Sequence, residues 1–292
     1  MIKDNCMITG SKKILSSREI ILAFLLYFLL IPAVLVGIYL MSNELKDVLA
    51  LYPKSPTFIS VWGSNFLHIT LPHLTENLAY YFLIISFIFV FDMKTNKRML
   101  FINFPLIFFI LPIVSSLSTI AVFSYFDVNI PAEGFSAVVA GLLGYLPFSF
   151  FKFVKTYYKV DLESSLRQLL FPILLLNLVV IPIAYGSYML LQSVFITALI
   201  IALLIIYVSH FKDVKSDYLK IFQLVRSKKL FTSSALSISI ILIYCGSIFL
   251  YPQSLVIKGS VVNIVAHYVG YIFGFIVPPC VSIVSNKRKP LI

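Results

Sequence analysis

Residues 134 to 145 read Gly134-Phe135-Ser136-Ala137-Val138-Val139-Ala140-Gly141-Leu142-Leu143-Gly144-Tyr145. The stretch opens an apolar segment that runs on to Phe153, and within it Ser136, Ala140 and Gly144 recur at i, i+4 and i+8. On a helix these residues share one face and form a narrow ridge of small side chains that a second helix can approach closely. A serine on such a ridge is by itself ordinary packing chemistry. It becomes informative through the company it keeps elsewhere in the chain.

Of the 292 residues, 60% are hydrophobic and 12% charged, and the mean hydropathy is +0.99. An ordinary soluble domain carries roughly 25% charged residues. The composition is that of an all-α polytopic membrane protein. A hydrocarbon core needs about 20 apolar residues per helix, and eight stretches approach or reach that length. They are Ile20 to Met41, Leu74 to Phe91, Met99 to Phe123, Phe135 to Phe153, Leu169 to Ala184, Ser187 to Ser209, Leu230 to Leu250 and Ser260 to Ser285, the fifth being the shortest. The expected organisation is one membrane domain over residues 20–285, preceded by a cytoplasmic tail (1–19) and followed by a short basic one (286–292). The first apolar span is read as a retained helix, because no cleavage site precedes it.

The net charge of +11 is explained by its placement. With eight spans and both termini cytoplasmic, Lys46, Lys54 and Lys258 fall outside and the rest of the 23 Lys and Arg residues fall inside. This is the asymmetry of the positive-inside rule, and one span more or fewer destroys it. The basic side then faces the anionic leaflet of the lipid bilayer, and no nucleic-acid partner is implied. Cys6, Cys245 and Cys280 lie at places that offer neither a disulfide nor a metal spacing. No metal or cofactor is expected. The outer segment around Trp62 is too apolar for a solvated loop, so its indole is expected at headgroup depth with the N–H kept wet.

A histidine, His267, lies about two turns into the eighth span, and an intramembrane histidine is a functional-site hypothesis by default. His267, Gly270 and Gly274 fall at i, i+3 and i+7 and share a face, so small residues flank His267 as they flank Ser136. Both helices enter from the outside, and at 1.5 Å per residue His267 is roughly 10 Å down. Ser136 reaches similar depth if the stretch from Phe126 to Gly134 dips inward. At the start of the second span His73 and Asn77, four residues apart, converge on one point. A serine hydroxyl needs a base to take its proton, and neutral imidazole suits that task. The Ser136 N–H at a helix N-terminus, the Asn77 amide and a His73 ring N–H are candidate oxyanion donors. No Asp or Glu is placed to orient His267, which makes the pair a dyad.

The pattern His68-x4-His73-x3-Asn77, then Gly134-x-Ser136 with Gly144-Tyr145, then His267-x2-Gly270-x3-Gly274 resembles the rhomboid intramembrane serine proteases in order, spacing and membrane placement. It covers about Asn65 to Pro278. The resemblance implies a rhomboid-like helical bundle of six core helices, here enlarged by an inserted hairpin at the fifth and sixth spans. It implies Ser136 as nucleophile, His267 as base, and His73 and Asn77 at the oxyanion hole. Gly134, Ala140, Gly144, Gly270 and Gly274 provide the close helix packing around the site. Substrates would be transmembrane proteins whose segments unwind easily, cut near their outer ends. Ala137 departs from the family's glycine, Ala140 from a frequent aromatic, and Trp62-Gly63 from a Trp-Arg pair. The expected location is the plasma membrane of a prokaryotic cell. A rhomboid-like protein that binds helices without cutting them is the second reading, although it would usually lack Ser136 or His267. A transporter is the third, and the paired halves that would favour it are not visible. Oligomeric state is left open.

Overall fold

The computed structural model describes residues 17–162, 168–170, 172–174, 177, 211–250, 256–257, 260–261 and 263–287. Its helices are α1 (Ser17–Tyr39), α2 (Asn43–Leu49), α3 (Phe58–Gly63), α4 (Leu71–Thr95), α5 (Arg98–Tyr125), α6 (Ser136–Tyr157), α7 (Phe211–Ser227), α8 (Leu230–Leu250) and α9 (Ile264–Lys287). A two-residue hairpin, β1 (Val256–Ile257) with β2 (Ser260–Val261), precedes α9. Among the described residues α1, α4, α5, α6 and the first 19 residues of α9 are long and apolar enough to cross a bilayer, which makes this a multi-pass helical membrane protein. They coincide with the first four and the eighth expected spans. The seventh forms α8, with a shorter apolar part, Leu230–Gly246. The sixth span, its tight turn at residues 185–187, His210, the terminal tails and most of the fifth span lie outside the described residues.

Prolines shape the first and third spans, and neighbouring helices meet the backbone groups they leave open. Where α1 widens into a π turn over Leu25–Leu30, Pro32 stands five residues after Tyr27 and has no N–H to return to that turn. The Tyr81 hydroxyl donates to the Tyr27 carbonyl instead (2.6 Å). In α5, Pro112 stands four residues after Phe108, and the Trp62 indole N–H donates to the Phe108 carbonyl (3.0 Å). This corrects the expectation that the Trp62 N–H stays wet. A carbonyl that its own helix cannot satisfy is a better partner than water once Phe66 and Phe109 cover the ring.

Helix α6 is the centre of the bundle: 94% of its apolar window is buried, against 22–44% in the other four spans. Its main neighbours are α9 and α4, with α5 and α8 also touching it. The contact with α9 is a glycine seam. A Cβ on Gly270 would fall on the Ala137 carbonyl, one on Gly274 on the Gly141 carbonyl, and one on Gly144 on the Tyr271 carbonyl and within 2.9 Å of the Phe275 nitrogen. Numbering rises together along both helices at these contacts, so α6 and α9 run in the same direction. The obstacle is backbone on both sides, so a side chain cannot turn away to make room. Gly274→Ala is therefore expected to lower stability by about 2–3 kcal/mol. Equilibrium unfolding in mixed micelles measures this, and a change under about 0.5 kcal/mol, the level of an inconsequential surface substitution, would argue against the seam.

Candidate functional site

Ser136 is the first residue of α6, and a turn that only glycine adopts easily holds it there. Gly134 has φ +118°, and its N–H donates to the Ser64 carbonyl (3.0 Å). Two residues earlier, Ala132 exchanges hydrogen bonds with Leu51 (2.9 and 3.3 Å). The connection from α5 is thus tied back onto the segments around α2 and α3, which is how the helix start is held in place. At its N-terminus α6 leaves its first N–H groups, that of Ser136 among them, without partners in the helix.

The His73 ring reaches this turn from α4. A Cβ built on Gly134 would lie 2.9 Å from His73 Cε1, 3.4 Å from His73 Nε2 and 3.9 Å from Ser136 Oγ. Imidazole and hydroxyl therefore border one spot, and a side chain at position 134 would occupy it. Asn77 sits one turn further along α4, buried, and its Nδ2 donates to the His73 carbonyl (3.0 Å) and lies 3.2 Å from His68 Nε2. Both amide protons are so engaged, and one partner must be released before Asn77 can donate to an oxyanion. His68, fully buried, also receives the Phe135 N–H at its Nε2, at the long distance of 3.5 Å. Its imidazole connects the start of α6 to α4.

His267 is 5% exposed. Because Gly270 packs against Ala137, His267 stands about one turn nearer the head of α6, beside the stretch that contains Ser136. On α9 the seam uses Gly270 and Gly274 as the spacing predicts; on α6 it runs through Ala137, Gly141 and Gly144, so of the expected ridge Ser136, Ala140 and Gly144 only Gly144 lies in it, the contact face being turned by about one residue. Ala140 is fully buried.

Ser136 also borders a polar cavity. Its other lining residues include Ser64, Asn65, Ser115, Ser116, Thr119, Glu133 and Asn263, and its volume is about 10 Å³. Asn65 Nδ2 donates to Ser116 Oγ (2.9 Å) and the Pro112 carbonyl (3.2 Å). Asn263 Nδ2 donates to Thr119 Oγ1 (2.8 Å). A polar space of this size, lined by hydroxyls and amides, has room for about one water. The sequence reading missed the cavity. Its signal was present in the polar positions 115, 116 and 119 of the third span, which sit on one face.

Charge at the site responds to pH in two ways. Burial lifts the Glu133 carboxyl to about 7, against the smaller opposing effects of the Ile69 N–H and Lys46. One of its oxygens, Oε2, is buried without a partner. Burial, helped by His73, pushes His68 down to about 3. A raised carboxyl contributes stability that is present below about 4.5 and lost as pH rises through about 7. A depressed imidazole contributes stability that is present above about 6.5 and lost as pH falls toward about 3. The melting temperature is thus expected to peak between these limits. Glu133→Gln should remove the fall on the alkaline side around pH 7 and leave the acid side unchanged, as a thermal-unfolding series from pH 4 to 9 would show. An unaltered alkaline limb in that variant would contradict the assignment.

Among the described residues no group of three His, Cys, Asp or Glu is placed to hold a metal, and Cys245 and Cys280 are free thiols. No protein-family model matches the chain, no curated protein matches it in sequence, and no solved structure matches its fold.

Proposed function

We propose that this protein is an intramembrane serine protease that hydrolyses peptide bonds near the outer ends of transmembrane segments. The observation that carries the reading is the meeting of Ser136 Oγ and the His73 ring at Gly134, at the head of a central helix whose glycine seam with α9 sets His267 alongside. In this reading the chain has eight spans in a rhomboid-like bundle, with N- and C-termini in the cytoplasm. The site then opens to the outer face of a prokaryotic plasma membrane.

The chemistry follows from the groups present. Ser136 Oγ attacks the scissile carbonyl carbon while His267 takes its proton, and the carbonyl π electrons move onto oxygen. The Ser136 N–H and a His73 ring N–H stabilise that oxyanion, and Asn77 joins them if it releases His68 or the His73 carbonyl. Collapse expels the amine, which receives the proton from His267, and leaves an acyl ester on Ser136. A water from the polar cavity then adds to the ester carbon, giving its proton to His267. The second collapse returns Ser136 and frees the carboxylate. The polar cavity suits a site inside hydrocarbon, because water must be stored beside the nucleophile for the second half of the reaction.

The test is reaction of the reconstituted protein with a serine-directed fluorophosphonate, followed by peptide mapping, together with cleavage of a single-span model substrate. Modification confined to Ser136, lost in His267→Ala, is expected. A protein that cleaves nothing and leaves Ser136 unmodified is a helix-binding relative without protease activity.

A further inference from the structure

A base must be held against the nucleophile, and His267 stands one turn from the start of α9. We infer that Asn263 is the positioning residue for His267, acting through a tie between α9 and α5. The inference rests on the protease reading, since it concerns how that base is held.

Asn263 immediately precedes α9 and makes two different bonds. Its Oδ1 accepts the Ala266 N–H (3.1 Å), satisfying one of the open donors at the helix start. Its Nδ2 donates to Thr119 Oγ1 (2.8 Å), and the Thr119 hydroxyl donates in turn to the Ser115 carbonyl of α5 (3.0 Å). Thr119 is 1% exposed, so this bond is shielded from competition by solvent. Asn263 and His267 are four residues apart and share a face, one turn separating the tie from the ring. The glycine seam sets which face of α9 meets α6, and the Asn263 to Thr119 bond ties the start of α9 to α5 on the cavity side, one turn from His267. A misplacement of about 1 Å at a reacting group can cost on the order of 100-fold in rate.

The two bonds separate by mutation. Asn263→Ser keeps a capping oxygen on a side chain that has no amide and is too short to reach Thr119, and Thr119→Val removes the acceptor while leaving the cap intact. Each is expected to lower kcat by about 10- to 100-fold with KM within about twofold, at nearly unchanged melting temperature. The double variant should be no worse than either single one, because both remove the same bond. Asn263→Ala, losing cap and tie, should also lower the melting temperature. A second readout needs no turnover: in Ser136→Ala protein labelled with ¹⁵N-histidine, the ring signals of His267 should shift on adding Thr119→Val. Unchanged kcat in Asn263→Ser and Thr119→Val, or losses that multiply in the double variant, would overturn the tie. If the parent neither cleaves nor reacts with the phosphonate, the protease reading fails. The ¹⁵N comparison then decides the positioning role alone, unchanged His267 signals rejecting it.

Discussion

Ser136→Ala and His267→Ala are each expected to lower kcat on a reconstituted single-span substrate by at least about 10³- to 10⁴-fold, with KM little changed. The reasoning is that nucleophile and base act as one unit: without the base the hydroxyl keeps its proton, and without the hydroxyl the base has nothing to activate. Such pairs are strongly non-additive, so the double variant should be no slower than the worse single one. His73→Ala should cost less, about 10²- to 10³-fold, since it removes one oxyanion donor among several. Asn77→Ala should lower both activity and stability, because its amide engages His68 and the His73 carbonyl. Full activity in either Ser136→Ala or His267→Ala would end the proposed mechanism.

Asp92→Ala is expected to destabilise the folded bundle by about 2–5 kcal/mol, about 1–3 kcal/mol for each of two buried hydroxyls left without an acceptor. Asp92 lies near the end of α4, fully buried, and its carboxylate accepts from the Tyr145 hydroxyl (3.0 Å) and from Ser149 Oγ (2.8 Å), both on α6. Lys152, one turn further along α6, donates to Ser282 Oγ of α9 (3.2 Å). The cluster joins α4, α6 and α9 at the end of α6 opposite Ser136. Truncation leaves both hydroxyls without an acceptor. Asp92→Asn keeps an acceptor and should cost less, about 1–3 kcal/mol. Unfolding in mixed micelles with increasing sodium dodecyl sulfate would measure both, and a cost below about 1 kcal/mol for Asp92→Ala would show that the cluster does not bind the helices together.

Much of this arrangement was legible in the order of residues. Apolar runs located the first four spans and the eighth, because hydrocarbon thickness sets their length. The spacing of Ser136, Ala140 and Gly144, and of His267, Gly270 and Gly274, announced close packing of two parallel helices; Gly270 and Gly274 make it, but on α6 they meet Ala137 and Gly141, beside the expected face. Asp92 shows where such reading stops. It directly follows Phe91, the last residue of an apolar run, and in sequence marks only a polar boundary. In the fold it turns inward onto Tyr145 and Ser149. Trp62 erred in the opposite direction: its composition and place suggested the headgroups, and the orphaned Phe108 carbonyl claimed its N–H.

The sequence by itself determined the membrane class of the protein, the location of most spans and the identity of the residues that carry the proposed chemistry. Periodicity tells which residues of one helix face the same way, and small residues announce that something will come close. Only the tertiary structure decided what each polar face meets. It set the His73 ring against the turn of Gly134 and Ser136, gathered Ser115, Ser116, Thr119, Asn65 and Asn263 around one cavity, and bonded Asn263 to Thr119 across 144 positions of chain. A hydrogen bond between helices depends on depth, rotation and crossing angle at once. Those are properties of packed pairs, and no single helix encodes them.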